Sequence, residues 1–449
     1  VTQQDTTNEN INKLIEFRQA VYSNGFTARR DALFNLVDAI LAQGPVSSFA
    51  MLSQAEQFER KWPSLYAAVA DGQLDEAWLR KFLAQQVPDR GICLFALDGS
   101  PWPRPRAKTL DDRQYVFQAS SDVNGGTIAI GYPYSSLDWV AAPHSSWALP
   151  VDERRVPSSQ TPQAVGTLQI EELAQARAAL VEALDIVACD GKYGNAGFLR
   201  TGQGKRCGIV ARLRCDRVLY GQPPPREPKQ RGRNKVHGQR FAFKEPDTWG
   251  EPDEVAELDD PYWGKVRLER WHHLHEKKGA DVPYDVVRAR VHLEREKPPA
   301  ALWLAWLPPQ RIPTGLTVIV ETIWRAYEAR WPIEPGLHFR KATLGWTMPR
   351  FQSKEAGDRW TWLTALATWM IFLAQSIVED TPLPWQKAQQ RLTPQRVQQS
   401  IRPIFALIGT PAHPPKRRGI PPGWPKGKRR TPKPRYPVVK KTPVVAKTA

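Results

Sequence analysis

Two short apolar runs in this 449-residue chain each end in Asp-Gly: Cys93 to Leu97 before Asp98-Gly99, and Ile186 to Cys189 before Asp190-Gly191. A short apolar run closed by turn residues is the pattern of a buried strand. Between them, Tyr115 to Phe117 and Thr127 to Ile130 flank Asn124-Gly125-Gly126, a hairpin signal, and Leu168 to Leu184 carries the spacing of an amphipathic helix. Strand, hairpin partners, helix and strand in that order predict a mixed α/β sheet, with each aspartate delivered at the end of a strand.

The flanking segments have different textures. Residues 1–90 read as helical: Leu33, Phe34, Leu36, Val37, Ile40 and Leu41 recur at steps of three and four before Gly44-Pro45 stops the run. Ser47 or Ser48 can cap the next helix, and Leu74 to Leu83 repeats the amphipathic pattern. Such a unit fits DNA-end binding or a packing and dimerisation role equally. Residues 91–203 are expected to form the first part of the sheet core and 204–307 a β-rich insertion, where Val287, Ala289, Val291 and Leu293 alternate with polar residues. Residues 308–400 read as a helical second part of the core, with Trp360, Trp362 and Trp369 inside it, and 401–449 as a basic, Pro-rich tail. Glu245 to Asp260, with eight acids and no base, reads as a solvated loop.

Charge is unevenly distributed. The chain holds 63 Lys and Arg against 46 Asp and Glu, a formal net charge of +17. Arg200 to Lys244 has 13 bases and 2 acids, and His413 to the last residue has 12 bases and no acid, so the remainder is net acidic. Both basic stretches are rich in Pro and Gly, a composition that suits arms lying along phosphates rather than a core. The run Arg231-Gly232-Arg233-Asn234-Lys235 could also enter an A·T-rich minor groove. Apolar stretches such as Trp360 to Ile377 are broken short of the ~20 residues a bilayer requires. Four cysteines suggest no disulfide framework, and Cys207 and Cys215 are expected as buried thiols. These features point to a soluble, unexported cytoplasmic chain with a polyanionic partner and no membrane contact.

Carboxylates on rigid strands are ligands for hard divalent cations, and a third is available in Tyr327-Glu328-Ala329-Arg330-Trp331-Pro332-Ile333-Glu334, followed by Lys341. At ~100° per residue, Tyr327, Arg330, Glu334 and Lys341 would share one helix face. Pro332 and Pro335 argue against one continuous helix, because the residue before a proline leaves helical angles. One helix ending near Arg330 and a second with Pro332 in its first turn reconcile the two. Asp122, Asp138 and Asp185 are competing carboxylates.

The spacing Tyr-x2-Arg-x3-Glu-x6-Lys resembles the signature of the bacterial insertion-sequence transposases of the DDE, RNase H-like superfamily, and Asp98 and Asp190 match the two family aspartates. The resemblance implies an RNase H-like mixed sheet from about Gly91 to Ile377, interrupted by the β-rich insertion. It also implies that Asp98, Asp190 and Glu334 hold two Mg²⁺ ions, with Mn²⁺ able to substitute, while Tyr327, Arg330 and Lys341 grip the DNA backbone. Trp303 or Trp306, in the insertion's last strand, would stabilise a flipped base. The implied partners are double-stranded DNA, as element terminal repeats and target, and a second copy of the chain in the DNA complex, with a nucleoid-associated location. The implied activity is cutting of element ends and joining to target; the alternatives are an RNase H-like nuclease that only hydrolyses and a catalytically silent DNA-binding protein.

Two other patterns carry no chemistry. His272, His273, His275 and Glu276 lack a nearby cysteine pair, and adjacent histidines on a strand face opposite ways, so zinc is not expected. Gly202-Gln203-Gly204-Lys205 lacks the earlier glycine of a nucleotide-binding P-loop.

Overall fold

The computed structural model describes residues 3–118, 127–226, 232–292, 301–416, 423, 425–429 and 431–440. The chain opens with α1 (Gln3–Ala20), β1 (Phe26–Ala28), α2 (Arg30–Ala42), α3 (Pro63–Asp71), β2 (Gln73–Leu74) and α4 (Glu76–Gln85). It continues through β3 (Arg90–Pro103), β4 (Gln114–Phe117), β5 (Ile128–Val140), β6 (Ala148–Arg155), α5 (Pro162–Ala176), β7 (Glu182–Cys189), α6 (Ala196–Gly202) and β8 (Gly208–Leu213). The region expected as a β-rich insertion supplies β9 (Val218–Tyr220), β10 (Arg240–Ala242), β11 (Glu254–Asp260), β12 (Gly264–Glu276), β13 (Tyr284–His292) and β14 (Leu302–Leu307). Helices α7 (Val320–Glu328), α8 (Ile333–Ala342), α9 (Lys354–Ala374), α10 (Pro394–Ser400) and α11 (Phe405–Ile408) complete it.

Among the described residues, twelve strands form one mixed sheet in the order β10-β9-β12-β13-β14-β8-β7-β3-β5-β4, with β11 on β12 and β6 on β5. The central strands β3, β7 and β8 are parallel, and β3 is antiparallel to β5. The mixed α/β class expected from the sequence is therefore the observed one. The β-rich segment does not stand apart: β14 pairs with β8 and extends the same sheet.

Local chemistry sets the helix starts. Thr161, Asn195 and Ser353 accept hydrogen bonds from Ala164, Phe198 and Ala356 backbone N–H groups at 3.1, 3.1 and 3.2 Å, capping α5, α6 and α9. Helix α9 is buried around almost its whole circumference, including Trp360, Trp362 and Trp369. It packs α1, α2 and α3 on one side and β6 on the other, so the N-terminal helices share one hydrophobic core with the sheet.

Several expectations need correction. The helix predicted at Leu168 to Leu184 is α5, which starts at Pro162 and stops at Ala176; Leu184 lies in β7. Just past the end of α5, the buried Arg177 guanidinium forms an ion pair with Asp185 on β7, at 3.0 Å. Within the acidic stretch, Glu254–Asp260 is an edge strand and not a loop. Its Glu254 and Glu257 pair with Arg270 and Arg267 at 3.0 and 3.2 Å, while Ala256 and Leu258 pack against the core. Cys215 is exposed, unlike Cys207. The Asn124-Gly125-Gly126 turn lies outside the described residues, but its flanks pair as β4 and β5.

Part of the Pro-rich C-terminal stretch is built into the fold. Ile401, Ile404, Ile408 and Ala412 are buried in the core. Further on, the Tyr436 N–H donates to the Lys108 carbonyl at 2.9 Å, and Val439 bridges in parallel to Gln114 on β4.

Candidate functional site

Parallel pairing of β3 with β7 ends at Leu97 opposite Cys189, so Asp98 and Asp190 occupy the next matched positions. Side chains alternate along a strand, which puts both aspartates on the face opposite buried Leu97 and Cys189. That face is the one α7 covers, through Val320, Ile323 and Trp324 against Leu184 and Ile186. One expectation is corrected: Asp98 does not end its strand. β3 runs on to Pro103 because β5 continues beside it, with Ser136 opposite Asp98.

The Tyr-Arg-Glu-Lys segment is broken as the prolines require. Helix α7 ends at Glu328, and α8 begins at Ile333 with Pro332 as its cap. The turn between them lowers Arg330 onto the sheet. Its Nη1 donates to Asp98 Oδ2 and its Nη2 to Glu334 Oε1, both at 3.0 Å. Burial works against the guanidinium charge, but Asp98, Tyr327 and Glu334 outweigh it and raise the pKa. Burial raises the Tyr327 phenol, which also faces Arg330. Lys341 is half-buried; burial and adjacent Arg340 lower its pKa, with Asp98 opposing.

A second cation stands between the aspartates. Lys192 Nζ lies 3.4 Å from Asp98 Oδ1 and 3.6 Å from Asp190 Oδ2. Asp98, Asp190, Glu334 and Arg330 line one cavity of about 670 Å³, together with Arg212 and Trp303. Each pair of carboxylates that includes Asp98 is thus bridged by a protein cation. In this arrangement, among the described residues, no three His, Cys, Asp or Glu side chains group closely enough to hold a metal ion. The donor set is nonetheless oxygen-only, the chemistry that hard divalent cations take, and positive charge already sits at two positions between its members.

The remaining expected residues fall in different places. Trp303 is buried, stacked on Phe243 with centroids 4.1 Å apart, and reaches the cavity wall. Trp306 is buried beside Gly208. Arg233 and Lys235 are exposed, and Arg231 lies outside the described residues. Of the competing carboxylates, Asp185 is held by Arg177 and Arg206, Asp138 by Arg340, and Asp122 lies outside the described residues. His275 bonds His237 at 2.9 Å, and His272 faces Asp285.

Sequence reasoning missed Lys192, whose only signal was its place two residues after Asp190. It also missed the support beneath α8. Arg340 is buried and bonds Asp138 at 2.9 Å, Ser136 at 3.0 Å and Glu153, fixing the helix that carries Glu334 and Lys341 to strands β5 and β6.

No curated protein matches the chain significantly. Among solved structures, the chain is similar to a piggyBac transposase in a synaptic complex with hairpin DNA, studied by cryo-electron microscopy. That likeness has 9% identity and a TM-score of 0.38, and covers 87% of this chain and 76% of the other. Among the described residues, no helix is long and apolar enough to cross a membrane. The profile of the DDE superfamily endonucleases matches residues 21–275, a span that contains Asp98 and Asp190 and ends before Glu334, and with more than half its length so matched the chain belongs to that family.

Proposed function

We propose that this DDE endonuclease is a DNA transposase that cuts the ends of its own element and joins them to target DNA. The observation that carries the reading is the convergence of Asp98, Asp190 and Glu334 on one cavity, with Arg330 bonded to two of them. Members of the family generally use divalent metals, and Asp98, Asp190 and Glu334 would hold Mg²⁺, or Mn²⁺ in its place. When bound, the ions would supply Lewis-acid activation of the attacking oxygen and charge stabilisation at the leaving oxygen.

The chain's own groups account for binding and orientation. Arg330, partly buried beside the carboxylates, offers a planar fork to phosphate oxygens. Tyr327, which faces Arg330, and Lys341, which is near Asp98, would contact the same backbone. Arg212, Arg214 and Lys244 also line the cavity, Arg214 paired there with Asp216 at 2.8 Å. Arg233 and Lys235 would meet DNA further out, as would Arg231. Trp303 would support an unpaired base only if its edge at the cavity became accessible. Two element ends joined in one reaction imply two protomers, so a homodimer on double-stranded terminal repeats and target is the proposed assembly, in the cytoplasm at the nucleoid.

The test is incubation with terminal-repeat duplex, target plasmid and Mg²⁺. Joined products that disappear in Asp98→Ala, Asp190→Ala and Glu334→Gln support the reading. Full strand transfer by Asp98→Ala overturns it, and cutting that never yields joined ends makes the protein a hydrolytic nuclease instead. Salt-dependent DNA binding without cleavage leaves a silent DNA-binding protein.

A further inference from the structure

We infer that Lys192 is the resident counter-ion of the Asp98–Asp190 pair, a positioning residue that keeps the two carboxylates together until a divalent cation displaces it. The inference rests on the reading of Asp98, Asp190 and Glu334 as the metal-holding set.

Several observations converge on Lys192. Its ammonium is shared between the two aspartates at 3.4 and 3.6 Å and is one-third exposed. The root of the side chain is fixed. Its carbonyl accepts from Gln163 Nε2 at 3.0 Å and Asn195 Nδ2 at 3.2 Å, and its N–H donates to Asp190 Oδ1 at 3.1 Å. The ammonium rests over Gly99: a Cβ there would fall 2.8 Å from Nζ, so only glycine leaves it this place between the aspartates.

An exit is present as well. A second cavity, of about 730 Å³, meets the first at Asp190 and is lined by Gly99, Lys192 and Tyr193, whose ring lies 5.1 Å from Nζ. A flexible ammonium on a fixed backbone, at distances longer than a good charge-assisted bond, is a cation that a divalent ion can replace without moving the chain. Two like-charged carboxylates on matched strand positions would otherwise repel each other.

The experiment titrates full-length protein with Mn²⁺ alone, without DNA, and reads free Mn²⁺ by electron paramagnetic resonance. Lys192→Met should bind Mn²⁺ about 3- to 10-fold more tightly than the unsubstituted protein, because a competing charge is gone. Lys192→Arg should restore the weaker binding, and Lys192→Gln should behave as Met does, which guards against a folding artefact in one variant. Equal or weaker Mn²⁺ binding by both neutral variants, with Asp98→Ala abolishing it, overturns the role of Lys192 and leaves the metal site intact. Mn²⁺ binding that Asp98→Ala does not change overturns the metal site itself.

Discussion

Arg330 is bonded to Asp98 across 232 positions of sequence, Nη1 to Oδ2 at 3.0 Å, while its other terminal nitrogen holds Glu334. The pairing exists because the chain breaks between α7 and α8, where Pro332 prevents a continuous helix. The break leaves Arg330 in the turn, bonded to Asp98 on β3.

Arg330 is predicted to serve the reaction rather than the fold. Arg330→Ala should cut DNA cleavage by on the order of 10²-fold, the scale of losing one positioned charge donor at a reacting phosphate. Arg330→Lys should recover part of it, since an ammonium keeps the charge and loses the fork. Single-turnover rates with matched thermal melts separate the two effects, and an equal loss of folding in both variants would refute the assignment.

Arg340 has the opposite character. Its guanidinium is 1% exposed and bonded to Asp138 and Glu153, both fully buried. Arg340→Met should destabilise the protein by about 3 to 5 kcal/mol, because two carboxylates are left without a cation in the interior. Chemical denaturation measures it directly. A variant as stable as the parent would show that the cluster does not hold α8 in place.

The same cluster sets a pH dependence. One guanidinium faces two buried carboxylates, and burial pushes Glu153 up to about 7, against the pull of Arg340. A folded-state pKa above the unfolded value gives stability that is complete below about 4.5 and is lost as pH rises through about 7. Between pH 6 and 8 the protein should lose on the order of 1 kcal/mol through this group. Glu153→Gln should flatten that loss in melts taken at both pH values, and an unchanged slope would remove Glu153 as its source.

Two truncations divide the C-terminal stretch. Ending the chain at Ala412 keeps Ile401, Ile404 and Ile408 in the core and removes twelve Lys and Arg residues. The fold should survive, while the slope of log binding constant against log salt becomes shallower by roughly 0.9 for each phosphate that the shortened chain no longer neutralises. Ending it at Ser400 should destabilise the N-terminal helices as well, because the same buried residues pack in their core. Fluorescence anisotropy with a labelled duplex and thermal melts check both.

What was readable from sequence depended on how local the cause was. The Asp-Gly runs and the alternation in β13 depend on neighbours, and they led to the right strands. The split between α7 and α8 was legible because proline acts within two residues. The extension of β3 beyond Asp98 was not: Gly99-Ser100-Pro101 looks like a turn, and only β5, more than thirty residues later, keeps it extended. Strand β11 was hidden for the same reason, since its acids are neutralised by Arg267 and Arg270 on β12. Lys192 and the Arg340 cluster belong to no local pattern; their meaning lies in which distant carboxylates the sheet register brings to them.

The central claim is that Asp98, Asp190 and Glu334 form one metal-holding site. Anomalous scattering at the manganese edge, from crystals of the protein with terminal-repeat DNA and Mn²⁺, tests it most directly. The account predicts manganese held by Asp98, Asp190 and Glu334, with Lys192 and Arg330 moved aside. Manganese bound elsewhere, with all three carboxylates still paired to those two cations, would contradict it.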